Sequence, residues 1–137
     1  MTTSVGWRPA ADSTLWRSDV SVTVDKPTPI SIPDIAASIE DFFKPHNIVT
    51  FNGAILKISR LSGECKWHRH EGQEELFLCW KGTAIVRLEG DREVTLREGE
   101  LFVVPLGVMH QSAAKDAFVL HVELPKGTIY PGEANKG

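Results

Sequence analysis

The sequence predicts an all-β chain, one small barrel of antiparallel strands preceded by a short helix and an arm. Two observations carry this. Glycine-bearing turns recur at Asn52-Gly53, Ser62-Gly63, Glu71-Gly72, Lys81-Gly82, Glu89-Gly90, Glu98-Gly99 and Leu106-Gly107. The short segments between them alternate apolar with polar residues, the period of a strand with one face in the core. With 137 residues and 42% apolar content, the chain can bury one core but hardly two.

Residues 1–45 are expected to form an N-terminal arm and short helix packed on the barrel. Within the arm, which runs from Met1 to about Pro29, Val20, Val22 and Val24 alternate as a strand would. Ser31 and Asp34 form a capping pair. Ile35, Ile39, Phe42 and Phe43 follow at helical spacing until Pro45, which places a helix over roughly 33–44. Residues 46–126 form the barrel. Ala84, Val86 and Leu88 share one face, Val94 and Leu96 repeat it after the Gly90 turn, and Arg87, Glu93, Thr95 and Arg97 face away, giving a hairpin with one wet side. A last strand alternates Phe118, Leu120, Val122 and Leu124 with Ala117, Val119, His121 and Glu123, and residues 127–137 are a tail.

The 15 basic and 18 acidic residues give a net charge of -3 and are interspersed, so no nucleic-acid or polyanion partner is expected. No apolar stretch approaches the roughly 18 residues of a membrane span, and the first residues lack the order of a secretory signal, which points to a soluble cytoplasmic protein. Cys65 and Cys79 are too few for a disulfide scaffold and are expected as two buried free thiols.

The chemistry lies in the segment His68-Arg69-His70-Glu71-Gly72-Gln73-Glu74-Glu75 and in the later His110. Residues two apart on a strand point the same way, so His68 and His70 make a chelating pair with Arg69 directed oppositely. Glu75 has the wrong parity on one unbroken strand, but a turn over Glu71, Gly72 and Gln73 resets it and can return Glu75 beside His70. Any one of these residues alone is more often a hydrogen-bonded or solvated side chain than a ligand; jointly that reading fares much worse. Three imidazoles and a carboxylate suit one divalent first-row ion (Fe, Mn, Co, Ni or Zn) rather than Ca or Mg. Four protein ligands leave a six-coordinate ion two neighbouring open positions, the condition for catalysis.

Gly63 to Gly82 resembles the first motif of the cupins, and Gly99 to His110, with Pro105 and Gly107 in place, resembles the second. The likeness runs from about Phe51 to Glu123 and is closest to the small mannose-6-phosphate-isomerase-like cupins. It implies a single double-stranded β-helix, or jelly-roll, barrel whose metal ligands are His68, His70, Glu75 and His110. Glu75 and Gly82 meet the family spacing together, which selects Glu75 over Glu74. Two departures stand out: Gly63 precedes His68 by one residue fewer than usual, and Ala114 stands where many members carry asparagine.

If Glu75 points inward, Phe77 and Cys79 point inward with it, and Leu76, Leu78 and Trp80 cover the outer face. Phe77, Cys79 and Trp67 are candidates for the wall of a substrate pocket, against plain core packing as the competing role. Cys79 lacks a basic neighbour that would make it reactive. Arg60 is a candidate at the barrel mouth, against a solvated surface arginine. His121 alternates with apolar residues and is expected to face away from the core, and His46 to lie in a loop. The apolar outer face needs a cover, and members of this family commonly pair through such strands, so a homodimer is expected. The function expected is a metal-dependent enzyme, an oxygenase or an isomerase or lyase, acting on an oxygen-bearing small molecule chelated by the metal. The alternatives are a metal-containing binding or sensing protein and, last, a storage protein.

Overall fold

The computed structural model describes residues 28–134. The expected arm and the alternating valines Val20, Val22 and Val24 lie outside the described residues. Helix α1 (Ile32–Ala37) begins as the capping pair predicts, with the Asp34 amide donating to Ser31 Oγ at 3.2 Å. It is shorter than the expected span. Ser38 turns its hydroxyl onto the Ile35 carbonyl at 2.7 Å, and Phe43, at φ 57°, is tied by its amide to the Arg60 carbonyl instead of to a helical turn. So short a helix persists through packing: Ala36 and Ile39 are buried against Ile48 and Ile58.

The barrel is built from strands β1 (His46–Phe51), β2 (Ala54–Glu64), β3 (Arg69–His70), β4 (Glu75–Lys81), β5 (Ala84–Leu88), β6 (Arg92–Leu96), β7 (Leu101–Val104), β8 (His110–Glu123) and β9 (Thr128–Ile129). His46 therefore opens a strand and is not a loop residue. Every pairing is antiparallel, and the order β1-β2-β8-β4-β7, with β5 joining β6 to β8, is that of a jelly-roll barrel. The long β8 organises it. Its first half pairs with β5 and its second half with β4, while β2 runs alongside both.

The inner faces of β4 and β5 are the expected ones. Phe77 and Cys79 point inward with Glu75, and Ala84, Val86 and Leu88 join Leu96 and Val104 in the core. Each valine, leucine or phenylalanine side chain so enclosed contributes about 1.5–3 kcal/mol. On β8 the expectation was inverted: Ala117, Val119 and His121 face inward, while Phe118 and Leu120 pack outward against the helix cluster. Both faces of β8 carry apolar residues and both are covered, so alternation alone does not say which is inside. The expected tail begins with β9, which pairs with β3 and buries Ile129 completely. Cys79 is buried as expected, but Cys65 is only half-buried.

Candidate metal centre

His68 and His110 exchange backbone hydrogen bonds, His68 amide to His110 carbonyl at 2.9 Å and the reverse at 2.8 Å, which sets their rings 4.5 Å apart. His70 is two residues further on, its ring 5.1 Å from His68 and 5.6 Å from His110. The chain then turns at Gly72, whose φ of 56° suits glycine. Gln73 fastens that turn to the end of β8: its side chain donates to the Leu124 carbonyl and accepts from the Leu124 amide. Glu75 consequently returns beside the histidines, with Oε1 2.9 Å from His70 Nε2 and 3.1 Å from His110 Nε2, while Glu74 points to solvent.

The ligand atoms of His68, His70, Glu75 and His110 all lie within 4.8 Å of one another, so they could hold one ion. Protonation chemistry makes the fit specific. His68 Nδ1 lies 2.7 Å from the Lys66 carbonyl and His110 Nδ1 2.9 Å from the Val108 carbonyl. A carbonyl only accepts, so each Nδ1 carries a proton, and in the neutral form of either ring the lone pair lies at Nε2. The His110 lone pair then faces a carboxylate oxygen of Glu75, an arrangement of two acceptors that needs a proton or a metal cation between them. His70 Nε2 is buried and makes no hydrogen bond despite its nearness to Glu75. In the tautomer protonated at Nδ1, that nitrogen offers a lone pair to an ion.

Behind the four ligands stands a second layer contributed by three neighbouring strands. His121 Nδ1 lies 3.1 Å from Glu75 Oε2, and its Nε2 lies 3.0 Å from Ser59 Oγ. Phe77 stacks on the same imidazole at 5.7 Å and 16°. Lys57 pairs with Glu123 Oε1 at 2.5 Å, and Glu123 Oε2 approaches His70 Nε2 to 3.3 Å. Burial alone would raise the Glu75 pKa, but the three imidazoles gathered round it, His110, His121 and His70, outweigh it and hold the carboxyl well below its ordinary value. Burial likewise opposes ionisation of Cys65, yet hydrogen bonds to His68 and Ser112 prevail and lower that thiol. Cys79 is pushed up, first by burial, as an inert thiol is.

A cavity of roughly 470 Å³ opens onto this layer, lined by His68, His70, Glu75 and Phe77 among others. Neither Cys79, Trp67 nor Arg60 lines it. Cys79 is sealed in the core beneath, and Trp67 is half-buried outside the lining. Arg60 has the opposite parity to Lys57, Ser59 and Leu61 and is paired on the outer face with Asp116 at 3.0 Å. Lys57, Ser59 and Glu123 join the lining although strand alternation does not single them out, and His121, expected to face away from the core, faces in. The i, i+2 relation between His121 and Glu123 is the same signal that joins His68 to His70.

An antiparallel barrel with an inward-facing His/Glu cluster defines a class of small β-barrel proteins able to hold a metal ion. Residues 60–128 match the family model described as the cupin domain, and the chain belongs to that family. A cupin-2 domain-containing protein from Shewanella frigidimarina is 28% identical, with a TM-score of 0.66 over 69% of this chain and 93% of that one. Hydroquinone 1,2-dioxygenase from Sphingomonas sp. TTNP3 shares the fold at 17% identity, with a TM-score of 0.63 over 88% of this chain and 90% of that one. DMSP lyase DddQ from Ruegeria pomeroyi shares it at 16% identity, with a TM-score of 0.58 over 70% of this chain and 55% of that one. Among the described residues no helix is long and apolar enough to cross a membrane.

Proposed function

We propose that the protein is a metal-dependent enzyme of small-molecule chemistry, an oxygenase or an isomerase or lyase, whose substrate is chelated through oxygen atoms at the His68, His70, Glu75 and His110 centre. The observation that carries this is the convergence of three imidazoles and one carboxylate, of which His68, His70 and Glu75 line an open cavity. A divalent first-row ion held there supplies Lewis acidity and, if redox-active, a site for dioxygen. The chain's own residues do the rest. Lys66 and Val108 carbonyls fix the tautomers of His68 and His110, and His121 holds the outer oxygen of Glu75. Leu61, Phe77 and Val119 give an apolar wall for the body of the substrate and exclude water beside the ligands. Likeness of fold to a dioxygenase and to a lyase supports this class of chemistry.

The test is metal analysis of protein purified without chelating resin, followed by oxygen-consumption assays with diketones, catechols and hydroxy acids. Bound first-row metal with turnover of one of these is the expected result. Folded protein that takes up no metal overturns the proposal.

We further propose that the working form is a cytoplasmic homodimer, in a compartment where two free thiols stay reduced. Leu101 and Val103 of β7, 55% and 39% exposed, continue the outer apolar face of Leu76 and Leu78 and support pairing there. Light scattering on a size-exclusion column that finds monomer alone overturns it.

A further inference from the structure

Glu123 presents an acceptor with no donor. Its side chain is 10% exposed; Oε1 is taken by Lys57, and Oε2 is buried and makes no hydrogen bond. Its neighbour across 3.3 Å is His70 Nε2. Once that nitrogen gives its lone pair to a metal it has no proton to offer. Neither Lys57 Nζ, which faces the other oxygen, nor Ser59, which faces His121, donates to it. A buried carboxylate oxygen in that position is satisfied by what enters the cavity, a water, a cation or a hydroxyl of the occupant that takes their place. Glu123, Lys57, His70 and Glu75 all line that cavity, so the occupant reaches the metal centre and Glu123 together.

We infer that Glu123, held by Lys57, recognises a hydroxyl group, so that the substrate is an oxygen chelate with a protonated hydroxyl beside its metal-binding oxygen, as in a catechol or a 2-hydroxy acid. The inference deepens the metal-enzyme reading above and rests on it. A ketone, an ether or a fully deprotonated chelate offers Oε2 no hydrogen and leaves the carboxylate stranded. Discrimination therefore lies between a hydroxyl and its methyl ether, compounds of nearly the same shape. Sites built to hydrogen-bond a hydroxyl penalise the analogue that lacks it.

The experiment follows the visible absorption of Co(II)-loaded protein during titration with two pairs of probes, catechol against 2-methoxyphenol and mandelate against its α-methyl ether. Wild-type protein is expected to favour the hydroxyl member of at least one pair by about tenfold or more, the scale of one hydrogen bond to a charged group. In Glu123→Leu that ratio should fall at least severalfold. Glu123→Gln, which keeps an acceptor oxygen, should retain part of it. The double variant Lys57→Met/Glu123→Leu strands no charge and gives the same reading where the single variant misfolds. A shift confined to one pair supports the inference and names the substrate class. Ratios that are equal in wild type and variants for both pairs, or spectra that no probe perturbs, overturn it while leaving the metal centre standing. Failure of Co(II) to bind at all overturns both.

Discussion

His121 Nδ1 lies 3.1 Å from the outer oxygen of Glu75, and both side chains are buried. One strand thereby aims the carboxylate of another. With Oε2 engaged by the imidazole, Oε1 alone is turned toward His70 and His110. Ser59 in turn fixes the far nitrogen of His121.

His121→Leu should therefore weaken metal binding by about 10–100-fold, the usual cost of removing an outer partner of a ligand. His121→Asn, whose amide can still donate to Glu75, should recover part of the loss. Competition with a chromophoric chelator measures both. Equal affinities in wild type and His121→Leu would show that Glu75 holds its position unaided.

Replacing His70 or His110 with Ala should remove most of the bound metal and leave the barrel folded, because the main core is assembled from Phe77, Val86, Leu96, Val104 and Val119 on other positions. Metal content by elemental analysis and the far-UV circular dichroism spectrum report the two halves of this statement. Unchanged metal content would reassign the site.

Acid should destabilise the metal-free protein through Glu75. Its folded pKa is held below the ordinary value of 4.5. The carboxylate then contributes stability that is complete above that ordinary value and is lost as the pH falls toward the folded pKa. Urea midpoints measured from pH 6 down to pH 2 should decline more steeply for wild type than for Glu75→Gln. Parallel curves would remove Glu75 from the acid transition.

Gly82 closes the turn between β4 and β5 at φ 82°, and a Cβ there would lie 2.5 Å from the Asp116 carbonyl oxygen. The obstacle is backbone, which cannot swing aside. Gly82→Ala combines left-handed strain with overpacking and should cost about 2–4 kcal/mol, read as a shift in the denaturation midpoint. Gly53→Ala, which meets nothing within 4 Å, should cost only the strain.

The turns and the strand alternation were legible in the sequence because each is local. A glycine that must adopt positive φ, as at Gly72, Gly82 or Gly90, marks its own turn. The i, i+2 rule likewise puts Phe77 and Cys79 on the face of Glu75 before any partner strand is known. The helix start was legible in Ser31 and Asp34, but its end was not, because Ser38 and the tie from Phe43 to Arg60 stop it.

What the sequence determined by itself was an antiparallel barrel of one domain and a set of three histidines and a glutamate at ligand spacing. Only the tertiary structure decided which face of β8 is inside, and with it the roles of His121 and Glu123. A strand with apolar residues on both faces carries two equivalent alternations. The choice between them is made by what packs against each, here α1 on the outer side and the Lys57, Ser59 and Phe77 wall on the inner. That information belongs to other segments of the chain, and it is realised only when β2, β4 and β8 lie side by side.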